Sequence, residues 1–121
     1  MQVADVPEWV FYGSPLIPLM LDGLALDVHG NVYIAVPTRA AIVRINADDR
    51  SQETVAVYNP EVPLHAPLDA PLSLAFGTGK GDRKSIFVTN SGMNGLFFPD
   101  MIWPGPGLVK IDVGIPGLPL P

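Results

Sequence analysis

The stretch that decides the fold is Leu21-Asp22-Gly23-Leu24-Ala25-Leu26-Asp27-Val28-His29-Gly30-Asn31-Val32-Tyr33-Ile34-Ala35. Apolar residues alternate with small or polar ones on both sides of Gly30, which is the period of two expected for a pleated strand. The polar residues between the two runs include a glycine that can adopt positive φ, as a tight hairpin turn requires. The stretch therefore predicts an antiparallel hairpin with strands at about 23–27 and 31–36.

The same alternation continues on the C-terminal side of this hairpin. It predicts strands at 41–45 and 53–58, separated by a polar turn at 46–51. Four successive antiparallel strands with short turns form a meander, which is typical of a β-propeller blade. On the N-terminal side, the aromatic run Trp9-Val10-Phe11-Tyr12-Gly13 predicts one further strand.

The chain then repeats its pattern. Residues 72–77 match 22–27 at an offset of fifty positions, and 85–89 and 107–111 match the second and third strands of the hairpin unit. A repeat of about this length indicates a propeller array. We therefore predict an all-β chain holding about two blades of a six-bladed ring. Its predicted parts are an isolated strand at 9–13, a full blade at 22–58, an incomplete last blade at 72–112 and a Pro-rich tail at 113–121.

Composition limits the classes of function. With 121 residues, 48% hydrophobic and 16% charged, the chain can form one folded domain and lacks the signature of disorder. A net charge of −5 gives no electrostatic footprint for nucleic acid or an anionic membrane. The absence of cysteine excludes disulfides and thiolate metal sites, and leaves the compartment open. No signal peptide or membrane span is visible, which predicts a soluble protein.

Three segments resemble a known family. The stretch from Asp22-Gly23 through Asp27 and Gly30 resembles the "PDG-hydrophobic-D-x-x-G-x-hydrophobic" blade start of the SMP-30/gluconolactonase/luciferin-regenerating-enzyme family. Phe76-Gly77, followed by residues 86–89, resembles the "FGG…LYVT" segment of that family. Residues 106–119 are similar to its last blade and tail, which suggests a natural C-terminus preceded by missing N-terminal blades.

The resemblance implies a six-bladed propeller that hydrolyses sugar lactones and related esters with one divalent metal ion, Ca²⁺ or Zn²⁺, in its channel. The family holds this metal with a Glu near the N-terminus, a mid-chain Asn and the Asp of its "PDG" segment. Only the last of these has a counterpart here, so Asp22 is the implied metal ligand and the candidate catalytic base. Leu21 stands where the family usually has Pro. With two ligands absent, the chain is expected to be inactive alone.

The residues themselves leave two alternatives open. Asp22-Gly23 is also an ordinary turn dipeptide. The chain could equally be a non-catalytic propeller remnant or a binding module, in which three copies of two blades complete a ring by self-association.

Other candidate sites are weaker. The loop at 77–85 contains Gly-Lys but does not keep the G-x-x-x-x-G-K-[ST] register, so an exposed hairpin loop is predicted. His29 and His65 have no second histidine at metal-ligand spacing, and both are predicted to be solvated. The apolar insertion at 91–103 is predicted either to cover the channel or contact a partner, or to fold onto its own blade.

Overall fold

Two antiparallel β-sheets make up the part of the chain that the computed structural model describes, residues 21–119. The first sheet has four strands in the order β1-β2-β3-β4, and the second has three in the order β5-β6-β7. The strands are β1 (Leu24–Leu26), β2 (Val32–Val36), β3 (Ala41–Ile45), β4 (Gln52–Val57), β5 (Pro71–Phe76), β6 (Ser85–Asn90) and β7 (Gly107–Asp112).

The structure confirms the all-β class and both meanders. Each strand predicted within residues 21–119 is present, with its ends at most one position from the prediction. The second sheet has no fourth strand among these residues, as predicted. The strand predicted at 9–13 and the last two residues of the tail lie outside the described part of the chain.

Helical structure is minimal. A 3-10 turn (Pro37–Arg39) links β2 to β3, and one helical turn, α1 (Asn94–Phe97), lies in the insertion between β6 and β7. Among residues 21–119, no helix is long and apolar enough to cross a membrane.

The main core joins the two sheets. Because successive side chains of a strand point to opposite faces, every second residue of β2 and β6 contributes to it. The rings of Tyr33 and Phe76 form a T-shaped pair, with a centroid distance of 5.3 Å and an interplanar angle of 86°. Leu68, from the connection between the sheets, is also fully buried here. The other buried members of this cluster are Ala35, Ala40, Ile42, Ala56, Ala66, Leu74, Ile86 and Val88.

The outer faces of the two sheets differ in polarity. The first sheet carries a second buried cluster on the face turned away from the second sheet, formed by Ile34, Val36, Val43 and Ile45. The outer face of the second sheet is mixed, with Thr89 opposite Leu108 and Phe87 opposite Lys110. The first sheet is therefore apolar on both faces, and the second on only one.

The first strands of the two sheets are held side by side at one backbone contact. The Gly23 amide donates to the Leu72 carbonyl at 2.7 Å, while the Gly23 carbonyl accepts from the Ala35 amide at 3.1 Å. A Cβ atom at position 23 would lie 2.8 Å from the Ser73 Cα and 2.9 Å from the Leu72 oxygen. Only glycine permits this approach without moving backbone.

The Pro-rich tail joins the sheets at the opposite end of these strands. The Leu118 amide donates to the Leu26 carbonyl at 2.9 Å, and the Gly117 amide donates to the Arg83 carbonyl at 3.0 Å. The Val28 amide donates to the Pro116 carbonyl at 2.9 Å. The tail thereby ties the first hairpin to the loop between β5 and β6, a contact that the sequence did not predict.

We expect Gly23→Ala to lower the free energy of unfolding by about 1–3 kcal/mol, because the added methyl group meets backbone atoms of β5. Gly95→Ala is the matched control, since no atom lies within 4 Å of the position its Cβ would occupy. Urea denaturation followed by circular dichroism measures both. Equal stability of the two variants would contradict the close approach at Gly23.

Candidate functional site

Asp22 lies directly before β1, at the end where the first strands of both sheets begin. Its backbone amide donates to the Ala35 carbonyl at 3.1 Å, which extends the β1–β2 pairing back to this residue. The residue is exposed. The structure therefore places Asp22 at the start of the first strand, beside the Gly23–Leu72 contact.

The described residues do not complete a metal site around Asp22. Among residues 21–119, no group of three or more histidine, cysteine, aspartate or glutamate side chains is arranged to hold a metal ion. Ca²⁺ takes six to eight oxygen ligands and Zn²⁺ about four ligands, so one exposed carboxylate is insufficient. The residues present therefore do not fit the metal by themselves, and no chemical step through a metal follows from them.

Asp27 is a fully buried carboxylate within the turn of the first hairpin. Its Oδ1 accepts from the backbone amides of His29 at 2.8 Å and Asn31 at 3.1 Å. Its Oδ2 accepts from the Asn31 Nδ2 at 2.8 Å and from the Tyr33 hydroxyl at 2.9 Å. The turn also needs Gly30 at φ +82°. Asp27 thus supplies the hydrogen bonds, and Gly30 the backbone conformation, that close this turn.

The hydrogen bonds of Asp27 determine its charge state. Burial on its own raises the pKa of this carboxyl, but the side chains of Asn31 and Tyr33 and the backbone amides of Asn31 and His29 all favour the anion. Their sum holds the pKa of Asp27 below its ordinary value. An enclosed carboxylate with four donors and a lowered pKa stabilises the turn and is poorly suited to act as a base.

A polar network continues from Asp27 across the first sheet. Burial, opposed by Arg44 and reinforced by Asp27, raises the pKa of the Tyr33 hydroxyl, so it remains a neutral donor. Arg44 forms an ion pair with Glu53 on β4. The hydrogen bond from Arg44 holds the pKa of Glu53 below its ordinary value. The network connects three strands, β2, β3 and β4.

Asp69 is the second buried carboxylate, and it fixes the insertion between β6 and β7. Its Oδ1 accepts from the Asn94 amide at 3.1 Å and its Oδ2 accepts from the Gly105 amide at 2.8 Å. The Asn94 Nδ2 then donates to the Pro37 carbonyl at 3.2 Å, next to the first sheet. Asp69 therefore binds both ends of the insertion and connects it to both sheets.

The insertion also packs on the end of β4. The Tyr58 hydroxyl donates to the Ile102 carbonyl at 2.6 Å, and the Trp103 ring lies 5.2 Å from the Tyr58 ring. Its outward side chains are apolar nonetheless, with Ile102 88% exposed. The insertion is folded onto the sheets and presents an apolar surface, so a partner contact for it stays a prediction.

The remaining candidates do not gather around Asp22. His29 and His65 are both exposed, as predicted. The His65 Nδ1 accepts from the Asn59 amide at 2.9 Å, within its own loop. Residues 77–84 form the predicted hairpin loop between β5 and β6, in which the Asp82 Oδ1 accepts from the Gly79 amide at 2.7 Å.

Sequence comparison leaves the family unassigned. No protein-family model matches the chain, and no curated protein matches it. The resemblance stated above therefore rests on its motif residues alone. The two aspartates of the first motif have different environments in the structure. Asp27 is buried within a turn, whereas Asp22 is exposed at the start of a strand.

We expect Asp27→Asn to lower the free energy of unfolding at neutral pH by about 2–3 kcal/mol, because the amide turns a donor toward groups that are themselves donors. The lowered pKa also fixes the sign of the pH dependence. The stabilisation by Asp27 is fully present above the unfolded-state pKa of about 4 and is lost as pH falls through the folded-state pKa.

Chemical denaturation between pH 7 and pH 2 measures this effect. Between pH 7 and pH 2, the stability of Asp27→Asn should fall by less than that of the unmodified chain. Asp48→Asn, at an exposed turn position, is the control and should retain the full decrease. An unchanged acid profile in Asp27→Asn would show that this carboxylate does not stabilise the fold.

Proposed function

We propose that this chain forms the closing part of a six-bladed propeller that hydrolyses lactones or related esters, with Asp22 as one ligand of a divalent metal ion. The observation that carries the proposal is the position of Asp22. It lies where β1 begins, and the Gly23–Leu72 contact sets the start of β5 beside it. In a propeller the first strands line the central channel, so this position corresponds to a channel mouth.

The arrangement of the sheets supports the same proposal. Both are antiparallel meanders, and they stack face to face through one core. In a propeller, the first strand of each would be the innermost one. The remaining metal ligands then belong to blades beyond residues 21–119, and the chain alone is not expected to hydrolyse lactones.

The proposal predicts divalent-metal binding that depends on Asp22. Titration of Ca²⁺ and of Zn²⁺ into the full chain by calorimetry should reveal only weak binding, because most of the ligands are missing, and Asp22→Ala should remove it, because the substitution deletes the ligand that is present. Asp48→Ala removes an exposed carboxylate elsewhere and should leave the affinity unchanged. If neither ion binds, Asp22 is not a ligand in this chain and the hydrolase proposal loses its site.

A binding module that assembles with itself is the second candidate. It is favoured by exposed apolar side chains on the outer faces of both sheets, where Leu24 is 56% and Leu108 is 67% exposed. Leu24 pairs with Ile34 on the outer face of the first sheet, and Leu108 pairs with Thr89 on the outer face of the second. Head-to-tail contact through these exposed side chains in three copies would close a ring of six sheets.

This second candidate predicts a trimer in light scattering at micromolar concentration. Leu108→Arg should shift the molar mass to that of a monomer, because a charge then enters the contact between copies. Leu96→Arg makes the same change at an exposed position on the insertion and should leave the trimer intact. A monomer in the unmodified chain eliminates ring closure by self-association.

A further inference from the structure

An open cleft of about 670 Å³ lies between the free edges of β1 and β5. Each of these strands is at the edge of its sheet, so neither has a second strand paired along it among residues 21–119. The volume falls within the range of about 300–1,000 Å³ that small-molecule sites occupy. The cleft is thus large enough for a small molecule.

The walls of the cleft are mainly apolar. Leu24 and Leu26 of β1 form one side, and Leu74 and Phe76 of β5 form the other. Leu118 of the tail closes one end, and its amide is held by the Leu26 carbonyl at 2.9 Å. Leu24, Leu26 and Leu118 are all exposed, so a ligand with an alkyl chain would remove apolar surface from water.

A positively charged side chain lies at the end of the cleft that the Pro-rich tail closes. Arg83 is the one lysine or arginine among the cleft residues. It also lines an adjoining depression of about 730 Å³, together with Lys80 and Lys84. Three of the seven basic residues of a chain with net charge −5 therefore lie in this loop. They create a local positive potential that opposes the overall charge.

The loop that carries these cations is held in place by other contacts. The Arg83 carbonyl accepts from Gly117, and the Lys84 carbonyl accepts from Val113 at 2.9 Å. Two carboxylates lie in the same region, but the Asp82 Oδ1 accepts from the Gly79 amide at 2.7 Å. The second, Asp112, accepts from the Ser85 hydroxyl. Both carboxylates therefore accept hydrogen bonds from groups other than the three basic side chains.

We infer that this cleft binds the anion of a medium-chain fatty acid. The alkyl chain lies between β1 and β5, and the carboxylate contacts the guanidinium of Arg83, which can bind a carboxylate through two parallel hydrogen bonds. The site is separate from Asp22. Asp22 precedes β1, whereas Arg83, Gly117 and Leu118 lie at the end where β1 and β5 finish.

Calorimetry with octanoate, decanoate and dodecanoate tests this inference on the full chain, below the micelle concentration of each. We expect saturable binding of one molecule per chain, with each added pair of methylene groups tightening it up to about fifteenfold, because each buried methylene contributes about 0.8 kcal/mol. Dodecanol, which has the same chain without the charge, should bind several-fold more weakly than dodecanoate. No binding of the acids, or no dependence on chain length, overturns the inference.

Two variants locate the site. Arg83→Gln should weaken dodecanoate about two- to fivefold, the effect of an exposed ion pair, and should leave dodecanol unchanged. Leu118→Glu should abolish binding of dodecanoate, because it places a like charge in the cleft while its backbone contact remains. Lys110→Gln is the control, since Lys110 lies on the outer face of the second sheet, over Phe87, and should have no effect.

A third experiment distinguishes binding of a free fatty acid from binding to a membrane surface. Co-sedimentation with phosphatidylserine vesicles should show no Arg83-dependent association, because the inferred ligand is a single molecule enclosed by the cleft. Binding to vesicles without binding to free dodecanoate would assign the apolar walls and the basic loop to a membrane surface and overturn the inference. If dodecanoate binds Arg83→Gln and Leu118→Glu as tightly as the unmodified chain, the fatty acid lies elsewhere on the chain, which also overturns the inference.

Discussion

The stacking of the first sheet on the second is the interaction on which the rest of the structure depends. A sheet of three or four short strands is stable only when one face is buried, and the main core provides that face for both. Tyr33, Leu68 and Ile86 are each fully buried in it, from the first sheet, the connection and the second sheet. The Gly23–Leu72 contact and the tail then hold the two ends of the stack.

Two buried carboxylates determine where the chain turns. Burial of a charge is costly unless hydrogen-bond donors replace the water around it. Both Asp27 and Asp69 accept hydrogen bonds from two backbone amides. Asp27 closes a turn within one hairpin, whereas Asp69 joins a long insertion to residues far away in the sequence. The same chemistry therefore provides one local and one long-range constraint.

The strands could be predicted because their signal is local. Alternation around Gly30 and its repetition fifty positions later indicated both meanders, and the strand ends differed by at most one residue. The backbone hydrogen bonds that Gly117 and Leu118 donate to Arg83 and Leu26 could not be predicted, because a Pro-rich tail has no periodicity and its partners are distant in the sequence. Asp69 gave no signal for the same reason. Asp22 lies at the start of a strand, as predicted. Metal binding depends on several side chains brought together in space, and residues 21–119 contain no group of three or more histidine, cysteine, aspartate or glutamate side chains that could hold an ion.

The free edges of β1 and β5 link the fold to both proposals. An unpaired strand edge presents backbone donors and acceptors and is normally protected, by closure in a ring or by a covering segment. Here the tail covers one end of the two edges and binds the Leu26 carbonyl, while Asp22 lies at the other end. Between them the edges stay open and carry leucine side chains. A closed propeller would turn these edges into a channel wall, with a carboxylate at one mouth and the Arg83 loop at the other. The opposite charges at the two ends then favour a cation at the first and an anion at the second, so the two sites need not compete for one ligand.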